Sequence, residues 1–237
     1  MAVTVVEGSR LSDVYALLSA TPAQPGVATF APGTLPARNV LRDALASDAI
    51  GAGATTAAPS DSLLEGYFFP DTYFVAPGSS ATALLRLMHR RMRDELARAW
   101  EQRSPDTPLK TPYEALILAS IIEKETGREA DRPLVGSVFV NRLRKGMRLE
   151  TDPTIIYGVC HAEPGRCMGG RLVNADGTTR GIRQSELDMV TGYNTYRIYG
   201  LPPTPIANPG RASLEAVLNP AQTADLYFVA DGTGGHV

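Results

Sequence analysis

The stretch ALILASIIEKETG, Ala115–Gly127, decides how this chain folds. Ala115 to Ile122 are apolar or small on every side. A helix that is apolar all round belongs in a core rather than on a surface. Just upstream, Thr111-Pro112-Tyr113-Glu114 carries the marks of a helix start. Thr111 is the cap, Pro112 takes the first helical position, and Glu114 completes a capping box. The predicted helix runs to Thr126, with Gly127 placed to end it in a left-handed turn. A core helix thus finishes in Glu123-Lys124-Glu125. Either its last turn reaches water, or Glu123 is held in a cleft from an apolar base.

Helical geometry separates the two glutamates. Glu123 lies above Leu116 and Ala119, with Ser120 beside it, and Glu125 lies over Leu118, Ile121 and Ile122. Two residues turn the axis by roughly 200°, so the two carboxyls cannot share one cleft. Apolar flanks and the negative end of the helix dipole both disfavour charge on Glu123. They are expected to move its pKa from about 4.3 toward ~6, as for the general-acid glutamate of lysozyme. Such a group can hold a proton near neutral pH and give it to a leaving oxygen.

Working outward, Asp131-Arg132-Pro133 opens a further helix, with Leu134, Val135, Val138, Phe139 and Leu143 inward and Gly146 closing it. Ser80 caps a long helix from Ala81 to about Gln102, where Leu84, Leu87, Met88, Met92, Leu96 and Trp100 form a packing stripe. Shorter helices are predicted over Leu11–Leu18 (capped by Ser9 or Ser12), Ala37–Ala46 and Ser213–Leu218. Val3–Val6 and Leu226–Ala230 read as strands. The aromatic cluster Leu64–Phe74, broken by Pro70-Asp71, reads as two short strands or one extended segment. Thr151–Thr154 reads as a turn in which Asp152 precedes a proline. LPPTPIANPG, Leu201–Gly210, has too many prolines for a helix or central strand and reads as stiff extended backbone suited to lining a groove. Gly51–Pro59 reads as a joint, which divides the chain into segment 1–58 and segment 59–237. Helices dominate and no βαβ alternation appears, so the expected fold class is α+β.

Of the 237 residues 43% are hydrophobic, enough for a real core. The net charge of −2 comes from 23 basic and 25 acidic residues. The densest basic run, His89–Arg93, falls on a predicted helix and reads as a solvated face, which argues against a nucleic-acid partner. No apolar run of ~18 residues exists to span a bilayer, and no signal peptide is visible. Both ends of the chain read as cut. Cys160 and Cys167, with six residues between them, fit a disulfide-clipped surface loop in an oxidising compartment. A metal site using His161 is the weaker alternative, because no further ligands support it. Nothing in the sequence indicates a metal or organic cofactor.

The motifs LEGYFFPDTY (Leu64–Tyr73), ASIIEKET (Ala119–Thr126), VFVNRLRKGMRLETDPTIIYG (Val138–Gly158), YNTYRIYGLPPTPIANPG (Tyr193–Gly210) and LYFVADGTGGH (Leu226–His236) occur in one order along most of the chain. In these it resembles the MltG/YceG family, membrane-anchored endolytic murein transglycosylases of bacteria. The resemblance implies a helix-rich catalytic domain over 59–237, preceded in 1–58 by a connector or the small α/β remnant of a LysM-like region. It implies a membrane anchor upstream, an inner-membrane protein with its catalytic part in the periplasm, and work beside peptidoglycan synthases. It implies Glu123 as the catalytic acid, and then base, that cuts the MurNAc–GlcNAc bond of peptidoglycan strands without water, leaving 1,6-anhydro ends. The Cys160–Cys167 loop is a local elaboration whose role the resemblance does not supply.

Around Glu123, Asn194 and Thr195 are candidates for hydrogen bonds to an acetamido or hydroxyl group. Tyr193, Tyr196 and Tyr157 are candidates for stacking on sugar faces, with core packing as the competing role. Asp152 either caps its turn, orients Glu123 or meets sugar. Glu125 is expected to pair with a neighbour, Arg142 to pair with Glu125 or Asp152, and Glu65 and Asp71 to stand behind the site. Two other functions stay open on these residues: a lysozyme-like hydrolase with Asp152 or Glu65 managing water, and a glycan-binding module without turnover.

Overall fold

The computed structural model describes residues 1–19, 30–45 and 64–229. Helices carry the architecture: α1 (Leu11–Ser19), α2 (Arg38–Leu45), α3 (Ala81–Glu101), α4 (Pro112–Glu125), α5 (Arg132–Arg144), α6 (Asp152–Ala162), the single turn α7 (Gln184–Leu187) and α8 (Arg211–Leu218). Strands are few. β1 (Ala2–Thr4) pairs antiparallel with β2 (Thr72–Phe74), Val3 opposite Tyr73. β3 (Cys167–Met168) and β4 (Arg171–Leu172) form a minimal hairpin. The fold is α+β, as the pattern of elements predicts.

α4 is the hub. Its residues from Ala115 to Ile122 are all buried, and α3, α5, α6 and α8 all pack on it. Thr111 Oγ1 accepts the Glu114 N–H at 3.2 Å, so the predicted cap is real. Glu114 Oε2 reaches back one residue further than expected, to the N–H of Lys110 at 2.6 Å. The helix ends at Thr126 in extended backbone, and Gly127 is not among the glycines with positive φ, so no left-handed cap forms there. Gly146, by contrast, closes α5 at φ 64°.

Several local expectations are corrected. Leu226–Phe228-Val229 is irregular rather than a strand. Its backbone serves α5 instead, with the Leu226 carbonyl accepting from Arg142 Nε at 2.7 Å. Only one strand, β2, forms in Leu64–Phe74, because Leu64 to Pro70 are buried without a strand partner. Thr151–Thr154 is the start of α6, with Pro153 in its first turn, and not a free turn. Leu134 and Leu87, assigned inward, are exposed. Cys160 sits in α6 and Cys167 in β3, so the disulfide that joins them pins the hairpin to a helix rather than clipping a loose loop.

The joint expected over Gly51–Pro59 lies outside the described residues. On either side of it the chain shares one apolar cluster, in which Val3, Leu11, Val14, Leu41 and Leu45 join Phe68, Leu85 and Leu116. Among the described residues no helix is long and apolar enough to cross a membrane.

Candidate functional site at the end of the central helix

The last turn of α4 fans three charged side chains about 100° apart, and each meets a different wall. Glu123 turns toward α5 and α8, and its side chain is only 4% exposed. Arg132 Nη2 reaches Glu123 Oε1 at 2.9 Å. The Gly210 N–H and the Ser213 hydroxyl both donate to Oε2, at 2.9 and 2.8 Å. The same Arg132 nitrogen stands 3.4 Å from Glu7 Oε2. Glu7 lies across Gly210, where a Cβ would fall 1.8 Å from Glu7 Oε1, so a side chain there would displace Glu7 from this position.

These surroundings differ from the expectation. Burial is present, but a guanidinium and two neutral donors also converge on the carboxyl. Local sequence showed only the apolar flank. The donors come from far along the chain: Gly210 and Ser213 open α8, and Arg132 opens α5. Arg132 and Ser213 are visible in the sequence only as parts of helix starts, and nothing local to Glu7 points to Glu123.

Glu125 occupies a separate wall, as the helical geometry required. It accepts the Thr151 hydroxyl. Nearby, Asp152 at the start of α6 accepts the Tyr196 hydroxyl at 2.9 Å, and no hydrogen bond joins it to Glu123. Burial and the adjacent Asp152 carboxylate push the Tyr196 phenol well above its ordinary range. Arg142 pairs with Glu150 at 3.2 Å and donates to the Leu149 carbonyl at 3.0 Å. It is therefore a clamp on the 147–150 turn and not the partner of Glu125 or Asp152.

The predicted sugar-binding residues divide. Asn194 is buried, and its amide is occupied by the Leu187 and Met189 carbonyls at 3.1 and 2.7 Å and by the Tyr196 N–H at 3.0 Å. Thr195 is fully buried and shares its hydroxyl with Thr154 at 2.8 Å. Tyr193 is buried, with its hydroxyl on Thr204 at 2.8 Å. These three hold the loop after α7 in place and present no free group to a ligand. Of the three candidate tyrosines, Tyr157, Tyr193 and Tyr196, only Tyr196 is half-exposed. Asp71 is spent on Arg91 at 2.8 Å, at the edge of α3.

Glu65 is buried in a second place. Its Oε1 accepts the Leu11 N–H at 2.7 Å and its Oε2 the Tyr157 hydroxyl at 3.1 Å. Burial dominates and pushes the Glu65 carboxyl up to about 7, against the Leu11 N–H, the charge of Arg10 and the Tyr157 hydroxyl. Glu65, Tyr157 and His161 line a cavity of about 400 Å³ with Arg10, Asp13 and Arg38. No cluster of His, Cys, Asp and Glu able to hold a metal ion occurs among the described residues.

The fold and site together define a helix-rich α+β protein with one buried, ion-paired glutamate at the end of a core helix. The chain belongs to the YceG-like family, whose model matches residues 1–237. It is 35% identical over 172 residues to the endolytic murein transglycosylase of Bacillus subtilis strain 168, covering 72% of this chain and 43% of that one. It is 31% identical over 174 residues to the endolytic murein transglycosylase of Streptococcus pneumoniae strain D39, covering 73% of this chain and 29% of that one. The chain thus spans less than half the length of these curated relatives. A crystal structure of a YceG-like protein from Listeria monocytogenes superposes with a TM-score of 0.70 at 26% identity, covering all of this chain and 72% of that one.

Proposed function

We propose that this chain carries the active site of an endolytic murein transglycosylase, with Glu123 as its single acid–base group. The observation that supports the reading most is the convergence of Arg132, the Gly210 N–H and the Ser213 hydroxyl on one buried carboxyl. In the first half-reaction Glu123 gives a proton to the bridging oxygen as the MurNAc C1–oxygen bond breaks. In the second, the Glu123 carboxylate takes the proton of the muramyl C6 hydroxyl as O6 bonds to C1. The 1,6-anhydro ring closes, the acid is regenerated and no water is consumed. One carboxyl suffices because the nucleophile belongs to the substrate, so the two-carboxylate requirement of glycoside hydrolases does not arise.

Arg132, the Gly210 N–H and the Ser213 hydroxyl fix the orientation of the carboxyl. The acid half needs Oε1 relieved of its cation. Arg132 stands between two carboxylates, Glu123 at 2.9 Å and Glu7 at 3.4 Å. A short swing of Arg132 toward Glu7 therefore leaves Oε1 able to carry the proton. This reading places the catalytic part outside the cytoplasmic membrane, beside peptidoglycan synthases. The bonded Cys160–Cys167 pair fits an oxidising compartment.

Mass spectrometry of digested glycan strands tests the proposal. Chain ends lighter than reducing ends by one water are expected. Reducing ends throughout would make the protein a hydrolase, and no new ends would leave a binding module.

A further inference from the structure

Between Glu123 and Glu125, the third charged side chain of the α4 terminus turns into a cleft of its own. Lys124 lines a cleft of about 330 Å³ with Arg10, Arg171, Pro153, Ile156, Ile206 and the Gly169–Gly170 turn. Its walls are three cations from three separate parts of the chain, and its floor is aliphatic. Among the described residues none of the three cations forms an ion pair with a carboxylate.

The cations are held in place without being neutralised. Arg10 Nη2 donates to the Gly170 carbonyl at 3.2 Å, and the guanidinium lies 5.1 Å from the Tyr157 ring centroid. Gly170 sits at φ 73°, and a Cβ there would fall 3.2 Å from the guanidinium carbon of Arg10. Glycine at this turn is what lets Arg10 lie flat on it. Lys124 Nζ donates to the Gly8 carbonyl at 3.2 Å. Desolvation and the charge of Arg10, with a smaller part from Arg171, lower the Lys124 pKa, while Asp13 and Glu123 act in the opposite sense. The Cys160–Cys167 bond fixes the hairpin that brings Gly170 and Arg171 to the cleft.

Like charges gathered around an aliphatic floor call for an anion with small apolar groups beside it. On the reading of the site proposed above, from which this inference follows, one substrate group has that character. The muramyl residue bears, on its lactyl ether, a short peptide of alanyl units and free carboxylates. We propose that the Arg10–Lys124–Arg171 cleft binds a carboxylate of this peptide and so makes the site select strands that still carry their stems. Lys124 and Glu123 flank the same turn at Gly8, where a Cβ would lie 3.4 Å from Lys124 Nζ and 3.7 Å from Glu123 Cγ, which brings the cleft near the carboxyl.

Two measurements test this. In the first, the free stem peptide is titrated into the whole protein by calorimetry, together with the same peptide amidated at its carboxylates and with inorganic phosphate. Arg171→Glu is the informative variant, because the side chain is exposed and makes no hydrogen bond among the described residues. Binding is expected to weaken at least about tenfold on this substitution and on amidation. No binding, indifference to both changes, or equal affinity for phosphate would each overturn the assignment. In the second, strands with stems and strands stripped of them by an amidase are compared as substrates. The intact strands are expected to give the higher kcat/KM, and Arg171→Glu is expected to shrink the ratio. Equal cutting of both by the parent would overturn the inference and leave the proposed function standing. Cutting of neither would overturn the proposed function, while the peptide titration would still read the cleft.

Discussion

The carboxyls of Glu123 and Glu65 are buried by opposite means. Glu123 is met by a guanidinium, a backbone N–H and a hydroxyl. Glu65 has one backbone N–H and one phenol, inside walls that keep it protonated up to about pH 7. Burial with few donors, the setting that raises a carboxyl's pKa, is met at Glu65. A carboxyl's preference for its proton depends on how many donors reach it, and donors can arrive from anywhere in the chain. The comparison also separates roles. Glu123 shares Arg132 with Glu7, whereas Glu65 ties α1 to α6 through its two oxygens.

The strongest way to break the comparison is Glu123→Gln, which keeps the shape and removes the proton. Strand cleavage, followed by the appearance of anhydro ends, is expected to fall by about 10²–10⁴-fold. An unchanged rate would move the acid elsewhere, with Glu65 the first place to look. Next is Arg132→Met, which strands a buried carboxyl. Urea unfolding at neutral pH is expected to show a loss of about 3–5 kcal/mol, with a good part regained in the Arg132→Met, Glu123→Gln pair. No recovery in the double variant would mean that the ion pair is not what Arg132 stabilises.

Glu65 supplies a signed test. Its folded pKa of about 7 lies above the ordinary carboxyl value of 4.5, so between these values the folded state holds a proton that the unfolded state has lost. Stability is therefore greatest below about pH 4.5, falls as pH rises to about 7, and is flat above that as far as this group is concerned. The expected loss is roughly 3 kcal/mol at 1.36 kcal/mol per pKa unit, and Glu65→Gln should remove this component of the pH profile. Persistence of the slope in the variant would assign it to another group. The smallest expected effect is Ser213→Ala, which deletes one of the three donors to Glu123. A stability loss of about 1.5 kcal/mol and a modest drop in cleavage rate are expected, since Arg132 and the Gly210 N–H remain.

The same contrast explains what could be read in advance. α4 was legible because its signals are local: Thr111 and Pro112 at the start, then unbroken apolar residues. α3, α5 and α8 carried similar marks, and helical periodicity placed Glu123 and Glu125 on different walls. The start of α6 is ambiguous in the sequence, because Thr151-Asp152-Pro153 suits a turn as well as the first turn of a helix, where proline is common. Leu226–Val229 has strand-like residues but no strand beside it; Phe228 instead packs edge-on against Phe139, with ring centroids 5.7 Å apart. The site was legible only at Glu123. Asn194 and Thr195 looked like ligand groups because they are polar and lie among aromatics, yet their hydrogen bonds close on loop backbone and on Thr154. Arg132, Ser213 and Glu7 reach Glu123 only through tertiary folding, which no local pattern encodes.

The all-round burial of α4 also sets an order in time. Its principal neighbour, α8, begins at Arg211, some ninety residues downstream in the chain. At a translation rate of about 5–20 residues per second, this buried helix waits roughly 5–20 s before that cover leaves the ribosome. Nascent chains halted between α5 and α8 should therefore be the form most prone to aggregate and the one that chaperones hold longest.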